Sequence, residues 1–301
     1  MELFSIFVQN ILPIFLVAGV GFLLVRYLEA DVQTLSRVTL HVLTPCLVFN
    51  ILVTSDLSAG EFGRLTLLAL GTILGIGVIA RIVARALKLD RVMTSAFTVV
   101  VMFANGGNYG LPLTLFVFGQ EALVRATVYF VISLVLTYTL GIFLASSGRR
   151  SLGEALSSVL RIPNIYAAVA AVVVIVAGVA PPTFVMRPIK LLSDAAIPVM
   201  ILVLGMQLEQ AVKPASLRLV GLATGLRLAV SAVLGILLAQ VLGLSGAARQ
   251  AGVLQSAMPV AVGTTILAVE FEVEPTFVTS VVFLSTILSP FTLTPLIAWL
   301  K

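Results

Sequence analysis

FANGGNYGLPL, residues 103–113, is the stretch on which the fold of this chain turns. It lies inside an apolar run, 92–118, that is long enough to cross a bilayer. Three glycines and a proline in eleven residues do not support a regular helix. Glycine weakens a helix interior, and Pro112 lacks an N–H and clashes with the preceding turn. Irregular backbone at membrane depth survives only where protein buries it or where it lines a polar cavity. Asn105 and Asn108 place amide groups in that same stretch. A helix that stops and restarts there presents a new N-terminus, with free N–H groups and partial positive charge, suited to a carboxylate. The competing explanation is close helix packing through Gly106-xxx-Gly110, which does not require two asparagines and a proline. Asn105, Gly106, Asn108 and Pro112 are therefore candidate binding residues.

A second segment, LQSAMPVAVGTTILA at 254–268, is the most polar part of its own apolar run. Serine and threonine in membrane helices often bond to the turn before them, so alone it is ambiguous. An internal repeat links it to the first. An offset of 153 residues pairs Gly110 with Gly263 and Pro45, in LHVLTPCLVFNIL, with Pro198, in SDAAIPVMILVLG. The same offset pairs Arg37 with Lys190 and His41 with Asp194. Gln255, Pro259, Gly263, Thr264 and Thr265 join the candidates on that basis.

Composition sets the class. Of 301 residues, 60% are apolar and 10% charged, and mean hydropathy is +1.17. A soluble domain carries roughly 25% charged residues, so lipid must cover much of this surface. Charges and turn residues divide the chain into ten apolar runs: 3–25, 34–54, 62–84, 92–118, 122–147, 163–183, 188–208, 215–242, 248–269 and 275–300. Five runs per half is an odd number, so the second half enters the membrane upside down relative to the first. The expected fold is all-α and membrane-integral: two inverted five-helix repeats, 1–147 and 163–301, joined by residues 148–162. The joining sequence RRSLGEALSSVLRIPN, 149–164, is basic and partly amphipathic, as a surface connection would be. Inverted repeats with helices interrupted at matching positions point to a transporter site.

The net charge of +5 is spread singly or in short clusters between apolar runs, with no stripe that would read nucleic acid. With the N-terminus outside, eleven Lys and Arg fall on the cytoplasmic side and six on the outer side, favouring an inner-membrane protein with both termini non-cytoplasmic. Acidic Glu2 precedes the first run and no basic residue does, so that run reads as a retained helix rather than a signal peptide. Cys46 is the single cysteine, so no intrachain disulfide forms. Zinc-protease, phosphate-loop and dinucleotide motifs are missing, and one His and one Cys limit metal ligation; a non-enzyme without cofactor or metal is expected. Repeated filter sequences and rings of charge, the marks of a channel, are not visible.

Three ionisable positions within the runs are candidates for chemistry. Arg227, in TGLRLAVSA, is an intramembrane charge that would hold an anionic substrate, pair with a carboxylate or snorkel to the interface. His41 and Asp194 are candidate proton carriers, because histidine titrates near neutral pH and a buried aspartate is raised toward it. Lys190, four residues before Asp194, would equally make that pair a structural ion pair.

ILPIFLVAGVGFLL (11–24), LSRVTLHVLTPCLVFNIL (35–52), NGGNYGLPL (105–113), IPVMILVLGMQL (197–208) and AMPVAVGTTILA (257–268) together resemble the auxin efflux carrier family in its short bacterial form, over essentially the whole chain. The resemblance implies an architecture similar to bile-acid sodium symporters, with spans four and nine broken and crossing. It implies a scaffold of helices 1, 2, 6 and 7 and a moving core of helices 3–5 and 8–10. It places Asn105, Asn108 and Pro112 at one crossover and Pro259, Gly263 and Thr264 at the other. One departure stands out: family members often carry asparagine where this chain has Gly263, with Thr264 the nearest substitute. The implied activity is elevator-type transport of a small carboxylate: malate, malonate and similar dicarboxylates for bacterial members, auxin for plant members. Coupling to protons, to sodium or to neither stays open, as does a homodimer. A sodium site would want a carboxylate, and the nearest acid to either segment is Glu270.

Overall fold

The computed structural model describes residues 2–146, 157, 160–209 and 216–301. The regular structure of these residues is helical, with one isolated antiparallel bridge, Ala104 to Val260, and no named strand among them. In chain order the helices are α1 (Leu3–Leu28), α2 (Val32–Val53), α3 (Ala59–Ala86), α4 (Arg91–Met102), α5 (Gly106–Ala145), α6 (Pro163–Ala177), α7 (Thr183–Glu209) and α8 (Leu217–Val241). They continue with α9 (Gly246–Ser256), α10 (Gly263–Glu270) and α11 (Pro275–Leu300). Seven of them, α1, α2, α3, α5, α7, α8 and α11, are long and apolar enough to cross a membrane. The protein is therefore a multi-pass membrane protein. The connection expected over 149–164 falls mostly on residues 147–156 and 158–159, which lie outside the described residues, as do Arg149, Arg150 and Lys213 of the charge count.

Helix starts follow local chemistry. Asp31 caps α2 by accepting from the N–H groups of Gln33 and Thr34, and Ser58 caps α3 by accepting from Glu61. Asp90 caps α4 by accepting from Met93 at 2.8 Å. Each supplies a side-chain oxygen to an N–H that the helix leaves unpaired. α5 runs forty residues, about 60 Å of helix and twice a hydrocarbon core. It turns a corner at Gly119, whose φ of 77° and ψ of −168° lie in a region essentially reserved for glycine. That corner falls between the expected limits of 118 and 122 for spans four and five.

The tightest helix contact is between α1 and α7. A Cβ on Gly21 would stand 2.1 Å from the carbonyl oxygen of Leu202, and one on Gly205 would stand 1.7 Å from that of Ala18. The two backbones touch, as small residues permit in a bilayer. α2 and α6 pack onto the same assembly, while α9 packs against α5, α3 and α8 in a second group. Large apolar side chains such as Leu16, Val20, Val173, Val176, Phe184 and Phe291 face outward.

The interruption expected within residues 103–113 is present and is narrower than that stretch, confined to Phe103–Asn105. Gly106–Gly110 form one wide turn, closed by the Gly110 N–H on the Asn105 carbonyl at 2.9 Å, which runs into regular helix at Leu111. Pro112 sits in the first turn of that helix, where a missing N–H costs little. The sixth run was expected over 163–183, but α6 ends after fifteen residues at Ala177, with Gly178 in the left-handed region as its cap.

A candidate binding site where two interrupted helices cross

α4 ends at Met102 and α9 at Ser256, and both chains then run extended past each other. The N–H of Asn105 donates to the carbonyl of Pro259 at 2.7 Å, and the N–H of Ala261 donates to that of Phe103 at 2.9 Å. Proline suits this place because its carbonyl is used and its absent N–H is not needed. The remaining N–H between them, on Val260, donates to Ser285 Oγ of α11 at 3.1 Å. Peptide groups freed by the two interruptions thus bond across the crossing or to a neighbouring side chain, which makes the breaks tolerable away from water. Beyond the crossing the chains resume as α5 at Gly106 and α10 at Gly263.

Both new N-termini face a cavity of two adjoining lobes. The smaller, about 220 Å³, is lined by Asn105, Gly106, Asn108 and Gly263 together with Tyr138. The larger, about 650 Å³, carries Arg37 and Thr265. Ser36, Leu40, Gln207, Val262, Ile266 and Glu270 line both. Asn105 is 5% exposed, and its Nδ2 has no hydrogen-bond partner. Asn108 Nδ2 donates to Gln207 Oε1 at 3.3 Å, and Gln207 Nε2 donates to Ser36 Oγ at 3.4 Å. The smaller lobe therefore joins an unused amide donor and two helix N-termini, groups that favour an anion, with the Glu270 carboxylate on the same wall.

The other candidates stand around this lobe without lining it. Pro112 and Pro259 are buried, and Thr264 is buried with its hydroxyl donating to the carbonyl of Ala261 at 2.7 Å. Gln255 is fully buried. Its amide lies over the wide turn, so that a Cβ on Gly106 or Gly110 would come within 2.8 or 2.6 Å of Oε1. Neither polar atom of that amide has a partner. Gly106-xxx-Gly110 thus serves packing as well, the groove for a side chain from α9.

Arg227 is 1% exposed and does not snorkel. It rises from a wide turn of α8, Leu226–Val230. Nη1 donates to the carbonyls of Val101 and Met102 at 3.1 and 3.2 Å, and Nη2 donates to Ser231 Oγ and the carbonyl of Ser256. It is not among the residues lining either lobe, and among the described residues no carboxylate pairs with it.

His41 and Asp194 lie away from the crossing. His41 is exposed on α2, its Nδ1 3.1 Å from the carbonyl oxygen of Arg37, and lines neither lobe. Asp194 is ion-paired with Lys190 at 2.8 Å. It borders a separate cavity of about 930 Å³ near the opposite end of α2, with Asp56 and Arg125. Arg125 in turn pairs with Glu61 at 2.8 Å, joining α5 to α3. Ser36, Gln207 and Tyr138 were not anticipated in the sequence. An amide in the apolar run IPVMILVLGMQL was the available signal for Gln207.

A family model for membrane transport proteins matches residues 6–297. The chain belongs to that family. It is the auxin efflux carrier/membrane transport protein family that the sequence motifs resemble. An uncharacterized transporter of Methanothermobacter thermautotrophicus is 31% identical over 263 residues, 87% of this chain and 86% of that protein. Another, from Methanocaldococcus jannaschii, is 22% identical over 87% of each. The protein is a membrane transporter.

Proposed function

We propose that the protein is a secondary carrier for a small organic anion, a mono- or dicarboxylate, held between the N-termini of α5 and α10 by the amides of Asn105 and Asn108. The observation that carries this is the Asn105 amide: buried, without a partner, on a cavity wall beside two helix N-termini. A carboxylate there would accept from Asn105 Nδ2 and displace Gln207 from Asn108. In this reading the chain crosses the bilayer ten times as two inverted repeats, 1–147 and 163–301. α1, α2, α6 and α7 form a scaffold against which the rest slides. The backbone contacts of Gly21 with Leu202 and of Gly205 with Ala18 support that grouping, since they lock α1 to α7. The Lys and Arg count favours an inner-membrane orientation with both termini outside. The two-lobed cavity, bordered by the first turns of α2 and α11, then opens to the cytoplasm.

The test is uptake of radiolabelled malonate, malate and a monocarboxylate series into proteoliposomes. A hydrogen bond to a charged group is worth about 1.5–3 kcal/mol, so Asn105→Ala and Asn108→Ala should each lower uptake at subsaturating substrate about tenfold or more. Both variants should keep their melting temperature. Wild-type rates in both variants would remove the crossing from the mechanism.

A further inference from the structure

Arg227 is a buried cation that the carboxylate site does not use. Its guanidinium sits at the other face of the crossing, where α4 and α9 end. Each helix C-terminus carries about half a negative charge, so two that converge present roughly one, which a single guanidinium offsets. The planar fork of five N–H donors suits carbonyls arriving from different directions. Val101 and Met102 supply two from the end of α4, and Ser256 one from the end of α9. Ser231 Oγ also donates to the Ser256 carbonyl, at 2.8 Å. Gly235, one turn further along α8, admits the end of α9: a Cβ there would stand 1.8 Å from Ser256 Oγ.

Carriers built on discontinuous helices commonly divide labour at the break. Half-helix N-termini take the anion, while unwound carbonyls and half-helix C-termini coordinate a coupling cation. In this protein those C-terminal carbonyls are already occupied by N–H groups of its own side chain. We infer that Arg227 is a tethered counter-cation: a covalently held guanidinium in the place that a coupling sodium ion would take, keeping the crossing assembled without added cation. The assembling role stands on the geometry, and only the comparison with a coupling ion rests on the carrier reading above. The offset of 153 residues sets Leu74 against Arg227, and Leu74 is 41% exposed. One half of the chain therefore supplies the cation for both.

The experiment uses purified protein in detergent without substrate, melted in sodium chloride and in choline chloride at equal ionic strength. The wild type should melt at the same temperature in both. Arg227→Ala, which empties a guanidinium-sized space among carbonyls, should melt several degrees lower. It should recover part of that loss in low-millimolar guanidinium chloride, at concentrations that leave the wild type unchanged, whereas choline should restore nothing. Arg227→Lys should fall between the two, since an ammonium offers charge without the fork. A sodium-dependent rise in wild-type melting would overturn the proposal. So would an Arg227→Ala variant as stable as wild type, or one that guanidinium fails to restore. Should the alanine variant not accumulate, amide exchange in the wild type at 103–105 and 260–261 decides. Equal protection in both salts supports the tethered cation, and faster exchange in choline refutes it. Because no substrate is present, failure here leaves the carboxylate site untouched.

Discussion

The two interruptions share a backbone and differ in almost everything else. The first is three residues long and carries chemistry in its side chains, with Asn105 at its end and Asn108 in the turn that follows. The second spans Ala257–Val262, six residues with no polar side chain, and offers only peptide groups and the bare N-terminus of α10. The repeat pairs Gly110 with Gly263, yet their surroundings are opposite. Gly110 is pressed against the Gln255 amide, while nothing lies within 4 Å of where a Cβ on Gly263 would be. A common crossing has thus been divided into a packed, amide-bearing side and an open side, with Arg227 serving both from behind. Symmetry of backbone is what the bilayer demands, because every freed peptide group needs a partner. Symmetry of side chains is not demanded, and the site shows little of it.

The largest effect should come from exchanging the two glycines' roles. Gly110→Val drives a branched side chain into a fully buried glutamine. Overpacking costs about 1–3 kcal/mol, and here it also shifts the wide turn that carries Asn105 and Asn108. Melting temperature should fall and uptake should be lost. Gly263→Ala should change neither appreciably. A matched pair of melting curves and uptake rates checks the comparison, and equal sensitivity at the two positions would erase the distinction drawn between them.

The open side can also be filled usefully. Gly263→Asn places an amide at the N-terminus of α10, on the cavity wall and in free space, opposite Asn105. One added hydrogen bond to a charged group is worth about 1.5–3 kcal/mol before the cost of ordering the side chain. KM for a carboxylate substrate should fall several-fold with stability unchanged. A higher KM with the same melting temperature would mean that the open space is needed by the substrate itself.

How much of this was legible in the sequence differs between the two sides. Glycine, proline and asparagine clustered in an apolar run announce an interruption. The interruption is shorter than its count of glycine and proline suggests. In the fold, glycine makes room for Gln255 and Pro112 occupies a first turn that needs no N–H. Arg227 was visible as an intramembrane charge, but three of its four partners are backbone carbonyls, two of them 125 and 126 residues away in sequence, and these belong to no residue type. Backbone acceptors leave no trace in a one-letter code. The approach of Gly21 to Leu202 and of Gly205 to Ala18 was hidden for a related reason, since many glycines in apolar runs make no such contact, Gly19 among them.

A smaller effect probes the packed side. Both polar atoms of the Gln255 amide are buried without a partner, a state that costs about 1–3 kcal/mol for a group that water would otherwise satisfy. Gln255→Met keeps the length and flexibility of the side chain and removes that cost. Its melting temperature should equal or exceed that of the wild type, with uptake within a few-fold. A drop in melting temperature would show that the amide is satisfied in the working protein. Unchanged stability with lost uptake would move Gln255 from packing to the substrate.

The smallest effect lies outside the membrane, where the two halves differ in how a long helix begins. α2 starts on the Asp31 cap, whereas the offset sets Phe184 of α7 at that position. The Thr34 hydroxyl, then the N–H groups of Thr34 and Gln33, hold the Asp31 carboxyl below the usual carboxylate range. A carboxylate whose pKa is lowered on folding stabilises above its unfolded value, about 3.9, and loses that contribution as pH falls through the depressed one. Asp31→Ala should therefore lower the melting temperature slightly at pH 7. The gap from wild type should narrow as the pH is taken below about 4, where the cap loses its charge. The carboxylate is fully exposed, so solvent screens it and the shift should be near the limit of a careful melting series. A gap that stays constant from pH 7 to pH 3 would assign the cap to the geometry of its oxygen atoms rather than to their charge.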